Sequence, residues 1–205
     1  MGRYAQDTGG GDFKQAPEGN HVARCVSIVD IGTHHGEYQG TPTVRNQIIV
    51  RWELPFETEV FEGAEKPLIV SKFYTNSLSE KANLRRDLES WRSREFTPEE
   101  LRKFDLMSIL GKPCTVSIVH NEKGKAKVVS VAAVPKGTTC PNAFNPVSSF
   151  WIDEWNDNAF AALPEGFQKL IADSDEYKAA FTPPGQRAGK DAAGKTNDDD
   201  DSIPF

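Results

Sequence analysis

Cysteine is scarce in this chain. Cys25, Cys114 and Cys140 lie far apart and are odd in number. No CxxC pair and no His/Cys cluster at metal-ligand spacing occurs, which argues against a disulfide framework or a zinc ribbon and points to free thiols in a reducing compartment. Long apolar runs are missing as well. None approaches the roughly 18 residues that span a bilayer. The opening "MGRYAQDTGGGDF" has no apolar core of a signal peptide, and Gln6 stands where a myristoylation signal puts Ser or Thr. A soluble cytoplasmic protein with no membrane contact is expected. Catalytic signatures are also absent: no nucleophile elbow, P-loop, HExxH or dinucleotide fingerprint. His34 and His35 are adjacent but have no third ligand nearby. The expectation is a non-enzyme with no catalytic residues, no metal and no cofactor. Positive charge is short too. Lys and Arg total 24 against 30 Asp and Glu, giving net charge −6 and a pI near 5.3. That argues against attachment to nucleic acid by bulk charge. Four of those negative charges are Asp198 to Asp201, however, and setting them aside leaves −2 for the rest. A near-neutral body has room for a local basic stripe.

What is present suffices for one folded domain with tails. Of 205 residues, 38% are hydrophobic and 26% charged. Residues 1–18 are Gly-rich and polar and read as a flexible N-terminal segment. "NHVARCVSIVDIG" (20–32) is a β-branched strand, followed by a loop over 33–42. "TVRNQIIVRWEL" (43–54) is the clearest strand. Val44, Ile48, Val50, Trp52 and Leu54 share one parity, while Thr43, Arg45, Gln47, Ile49, Arg51 and Glu53 share the other. Strand residues alternate faces, so one side is expected to meet a core and the other to carry the arginines. "PFETEVFEGAEKP" (55–67) reads as an acidic connection and "LIVSKFYTNS" (68–77) as a third strand. A helix is expected over 79–94, with Ser79 as cap, Glu80 in the first turn, and Leu84, Leu88 and Trp91 as its apolar stripe. "TPEELRKF" carries a capping box, Thr97 with Glu100, and Pro98 at the first helical position. Strands over 114–120 and 126–134 flank the turn "NEKGK".

Three strands, a helix and two strands are the elements of an OB-fold: a five-stranded barrel with a helix between strands three and four. The expected class is mainly β with helices, with the barrel domain over 19–135. Residues 136–181 read as a short helical C-terminal extension packing back on the barrel. In it Leu163, Phe167, Leu170 and Ile171 suggest an amphipathic helix behind Pro164, and Tyr177 and Phe181 pair at i, i+4. Residues 182–197, rich in Gly, Pro and Ala, read as a flexible linker, and 198–205 as a disordered acidic tail.

That tail, "DDDDSIPF", cannot be core. Four aspartates repel one another and stay solvated. Ile203, Pro204 and Phe205 after them suit docking into a partner's apolar pocket, with the acids tracking a basic rim. The segment resembles the acidic tip of bacterial single-stranded DNA-binding proteins, from which it departs by the insertion of Ser202. The body segments "GDFKQAPEGNHVARCVSIVDIG", "VSKFYTNSLSEKANLRRDLESWRSREFTPEEL" and "FDLMSILGKPCTVSIVH" are similar to phage-encoded single-stranded DNA-binding or replication-associated proteins. This likeness covers most of residues 10–135.

The resemblance implies that the barrel coats single-stranded DNA largely without sequence preference during phage replication or recombination. It also implies that the tip, Asp198, Asp199, Asp200, Asp201, Ile203, Pro204 and Phe205, recruits a polymerase, helicase, primase or nuclease. Binders of this kind occur as monomers, dimers and tetramers, so a homo-oligomer is compatible with the sequence. Single-strand binding combines cations along the backbone path with flat side chains on which bases stack, on the face of strands two and three and the loops beside it. The expected contacts are Arg45, Gln47 and Arg51 on strand two, Lys72 and Tyr74 on strand three, and Tyr38 in the first loop. Lys123, Lys125 and Lys127 complete the set at the last hairpin. Tyr74 is expected to face DNA with Phe73 inward, and Trp52 and Trp91 to be packed. A second reading makes the chain a protein-interaction adaptor whose tip mimics a host tail, with no DNA on the barrel. A continuous basic groove would favour the first reading, and a groove closed by residues 150–181 the second.

Overall fold

The computed structural model describes residues 14–61 and 63–181. The tail 198–205 lies outside the described residues. The chain is mainly β with helices. Strands β1 (Gly19–Tyr38), β2 (Thr41–Phe61) and β3 (Ala64–Thr75) come first, then α1 (Asn83–Arg92), α2 (Pro98–Arg102) and a 3-10 turn, Leu106–Ile109. Strands β4 (Pro113–His120) and β5 (Ala126–Ala132) follow. A strap then leads to β6 (Ser148–Phe150), a 3-10 turn at Ile152–Glu154, and helices α3 (Asp157–Ala161), α4 (Glu165–Asp173) and α5 (Asp175–Phe181).

The sheet runs β3-β2-β1-β4-β5, all antiparallel, with β6 added parallel to β1. β1 changes partner along its length. Residues 19–24 pair β4, whereas 24–38 pair β2. Among the described residues no ladder joins the end strands β3 and β5, so the sheet is open, though the Lys72 ammonium donates to the Val129 carbonyl across that gap at 3.0 Å.

Two hairpins are much longer than local reading suggests. The expected loop over 33–42 is the end of β1 and the start of β2, turning at Gln39 and Gly40, both at positive φ. The expected connection over 55–67 is likewise paired strand, with Phe61 opposite Ala64. Gly, Pro and acidic residues marked these stretches as loops, but a strand paired along most of its length, here with an irregularity between Leu54 and Thr58, satisfies its backbone groups and overrides weak local propensity. α1 begins at Asn83, not at Ser79. Ser79 closes a turn with Ala82, and the helix start has neither a side-chain cap nor an acid. The capping box at α2 is present, Thr97 and Glu100 each holding the other's backbone N–H.

The sheet is buried on both faces. Ile28, Ile48, Val50 and Trp52 face an inner core with Leu88, Trp91, Val116 and Ile118. Val29, Ile31 and Ile49 face a second core with Phe150, Phe167 and Ile171. Alternation along the runs Ile28–Val29 and Ile48–Ile49–Val50 sends neighbours to opposite cores, as it must in a strand covered on both sides. Trp52 sits edge-on to Tyr74 and tilted against Trp91, at 6.5 and 6.4 Å between ring centres. In the second core α4 lies behind Pro164, and Tyr177 meets Phe181 at 4.6 Å.

The strap between β5 and β6 is pinned by one buried and one half-buried charge. Fully buried Glu53 accepts from the Phe144 and Asn145 backbone N–H groups, both at 2.8 Å, and from the Asn145 amide at 2.7 Å. Arg24 donates to the carbonyls of Gly111, Cys140 and Pro141.

Candidate nucleic-acid interface

The nine expected contact residues separate into three groups. Tyr38 and Arg45 stand on the projecting β1–β2 arm and are exposed, Tyr38 to 53%. Opposed residues of an antiparallel pair point to the same face. Tyr38 opposes Thr41 and His34 opposes Arg45, so Tyr38, Thr41, Thr43, Arg45 and half-buried Gln47 all present to one face of the arm. From Thr41 to Arg45 the strand advances about 13 Å at roughly 3.3 Å per residue. An aromatic ring and a guanidinium therefore stand about two nucleotide steps apart, and Arg45 makes no ion pair among the described residues.

Further along the same face, the expected groove is covered. Arg51 lies with its guanidinium 5.5 Å from the centre of the Phe167 ring, and burial lowers its pKa from the usual arginine range. Next to it Ile49 is fully buried under α4. Arg51 is thus placed against the C-terminal helices rather than in open solvent. The sequence signal was Ile49 itself, the one apolar residue on an otherwise polar parity.

Lys72 and Tyr74 share a face as their parity requires, but that face is the inner core. Tyr74 is only 3% exposed. Its hydroxyl donates to Asp87 Oδ2 at 2.8 Å, and the Lys72 ammonium donates to the same oxygen at 2.8 Å. Burial and the Asp87 charge push the Tyr74 hydroxyl well above its ordinary pKa. The expected outward Tyr74 and inward Phe73 are therefore reversed: Phe73 opposes Ile49 and packs, half-buried, on the second core. Asp87 on α1 reverses them. A carboxylate on the buried helix face draws in the two polar tips that can satisfy it.

The third group is the β4–β5 turn. Lys123 is exposed, while Lys125 and Lys127 are half-buried. Asn121 Oδ1 accepts the backbone N–H groups of Lys123 and Lys125, and Gly124 supplies the positive φ of 73°. This fixes the turn and leaves the Lys123 side chain outward.

The arm is anchored at its root by α5. Glu176 accepts from the Thr33 N–H at 2.7 Å and the Thr33 hydroxyl at 2.6 Å. Burial would raise the Glu176 carboxyl, but the Thr33 hydrogen bonds, together with the Glu176 backbone N–H and nearby His34, hold the pKa below the usual value. His35 donates to Asp175 at 2.7 Å and His34 to the Ile31 carbonyl at 2.9 Å. Gly32, at φ +78°, lets the chain pass beneath: a Cβ there would fall 2.6 Å from Glu176 Oε2 and 2.6 Å from Ser174 Cβ. Half-buried Asp30 completes the root, accepting from the Gly32 and Ile152 N–H groups. Burial raises its pKa. The sequence carried no sign of the pairings of Thr33 with Glu176, His35 with Asp175 and Asp30 with Ile152, which join residues more than 100 positions apart.

Among the described residues no group of three or more His, Cys, Asp or Glu is placed to hold a metal. No described helix is long and apolar enough to cross a membrane. All three cysteines are free. The chain matches no family model, no curated protein and no solved structure.

Proposed function

We propose that the chain binds single-stranded DNA, largely without sequence preference, on an OB-type barrel during phage replication or recombination in the host cytoplasm. In this reading the tip 198–205 recruits replication or recombination proteins. Three things support it. The strand order β3-β2-β1-β4-β5, with α1 between β3 and β4, is the order an OB barrel takes when its end strands approach, and Lys72 reaches Val129 across that gap. The sequence resembles single-strand binders in its body segments and in its tip. The observation that carries the reading is the arm, where exposed Tyr38 and exposed Arg45, which makes no ion pair among the described residues, share one face. A ring for stacking and a cation for phosphate are the two components that single-strand binding combines. The DNA path then follows the arm, not the central strip beneath α4.

A second reading is favoured by one observation. The central strip at Ile49 and Arg51 is closed by Phe167, which suits an adaptor that uses its tip alone. Fluorescence titration of the full chain with oligo-dT at low and moderate salt separates them. Binding that weakens with salt supports the first reading, because displaced counterions make phosphate contacts salt-dependent. No binding at low salt refutes it and leaves the adaptor.

A further inference from the structure

Beside the root of the arm lies a cleft of about 200 Å³, between the end of β3 and the helical segment α1–α2. A single water needs only about 10–15 Å³. The walls are Leu78, Leu101 and Phe104, with Asn76, Ser77 and Arg102 also lining it. Leu84, on the buried face of α1, belongs to the same lining.

The cleft adjoins the base of the arm, on the face opposite Tyr38 and Arg45, because Asn46 alternates with Arg45 and shares the inner-core side with Ile48 and Leu84. The Asn76 N–H donates to the Asn46 carbonyl at 2.8 Å, and the Asn76 amide donates to Asn46 Oδ1 at 3.1 Å. Asn46 is the residue next to Arg45, and Thr75 opposes Gln47. The Asn76 side-chain carbonyl keeps its acceptor capacity, and exposed Arg102 makes no ion pair among the described residues. Phe104 is held in place from elsewhere: the Arg92 guanidinium lies 5.0 Å from its ring centre, and Phe96 meets it edge-on at 5.0 Å.

We infer that this cleft receives one nucleobase of a single strand that crosses the β2 edge at Asn46, where the β3 ladder has ended, from the Tyr38–Arg45 face, an inference that rests on the DNA-binding reading above. A nucleobase has apolar faces and a polar edge. Leu78, Leu101 and Phe104 suit the faces, Asn76 and Ser77 suit the edge, and Arg102 suits the adjoining phosphate. An aliphatic ligand would leave Asn76 and Arg102 unanswered, and a bare anion would leave the apolar walls unused.

The test uses the full chain and a dT oligomer carrying one 2-aminopurine in place of a thymine. Anisotropy of a terminal dye reads binding, and 2-aminopurine emission reads stacking. The comparison protein is Ser77→Leu, which fills the cleft from a half-buried loop position, with Arg102→Ala as a second variant at an exposed site. Near-UV circular dichroism confirms that each variant is folded. The expected result is an emission change on binding to the unaltered chain that is lost in Ser77→Leu. Affinity should fall about 5- to 150-fold, which is what one stacked base is worth. Arg102→Ala should weaken binding and reduce its salt dependence. Unchanged emission response and affinity in both variants would overturn the cleft while leaving the arm intact. A mononucleotide that produces the same emission change at similar concentration would show a free-nucleotide site instead and also overturn it. Absence of any anisotropy change with the unaltered chain would refute the DNA-binding reading itself, and the cleft assignment falls with it.

Discussion

Replacing Asp87 with Ala is the sharpest perturbation of this fold. Asp87 Oδ2 accepts both the Lys72 ammonium and the Tyr74 hydroxyl at 2.8 Å, and all three side chains are buried. Exposed Arg86, 3.6 Å from the other carboxylate oxygen, adds little to such a pair. The substitution leaves a buried ammonium with only the Val129 carbonyl, and a buried hydroxyl with no acceptor from Asp87. Removing one partner of a buried pair costs about 3–5 kcal/mol. At roughly 2–4 °C per kcal/mol for a domain of this size, Tm should fall by about 6–20 °C. Calorimetry with a parallel urea titration reads both quantities. A combined Lys72→Met, Tyr74→Phe, Asp87→Leu variant removes every charge and hydroxyl together. It should lose far less, because a buried ion pair is worth little against well-packed apolar groups of similar volume. An Asp87→Ala cost below about 1 kcal/mol, or a triple variant as unstable as the single one, would refute the reasoning.

Alkaline pH should destabilise the chain. Burial pushes the Cys25 thiol up to about 12 and raises Cys114 well above its ordinary value. A free thiol titrates near 8.5. Stability from a raised pKa is present below the unfolded value and is lost as pH climbs toward the folded one. Each thiol should therefore remove up to about 1.4 kcal/mol per pH unit from roughly pH 8.5 upward. Urea midpoints across pH 7–10.5 should fall, and Cys25→Ala should flatten the decline. Gly32→Ala places a Cβ against Glu176 and Ser174 in a left-handed backbone that alone costs about 1–3 kcal/mol. Hydrogen exchange should then quicken across residues 174–181, and unchanged exchange there would count against the anchoring of the arm by α5. Phe167→Ala, emptying the centre of the second core, should cost about 3–5 kcal/mol in the same urea assay.

Features set within a few residues were legible before the structure. The Thr97–Glu100 box, the turn at Asn121–Lys125, α4 behind Pro164 and the Tyr177–Phe181 pair depend on spacing alone. The buried positions of Trp52 and Trp91 followed from parity and helical spacing. What escaped reading depends on residues distant in sequence. Tyr74 turned inward because Asp87, 13 positions on, offers a buried acceptor. Arg51 lost its open face because Phe167 comes back over the sheet, and Ile49, grouped with the arginines on the polar parity, belongs to that second core. The long hairpins were hidden because Gly36, Gly40 and Pro42 satisfy the rules for a loop as well as they tolerate a paired arm. For the interface, Tyr38 and Arg45 stand exposed on one face as a single-strand contact requires, whereas Lys72 and Tyr74 serve the core.

The central claim is that a single strand follows the arm, and the slope of log K against log salt for oligo-dT tests it most directly. The unaltered chain should bind and weaken with salt. Arg45→Gln should make the slope shallower by about 0.7, the share of one phosphate contact on a single strand. Tyr38→Ala should lower affinity by about 5- to 150-fold with the slope unchanged. No binding at low salt, or slopes and affinities unmoved in both variants, would contradict the account.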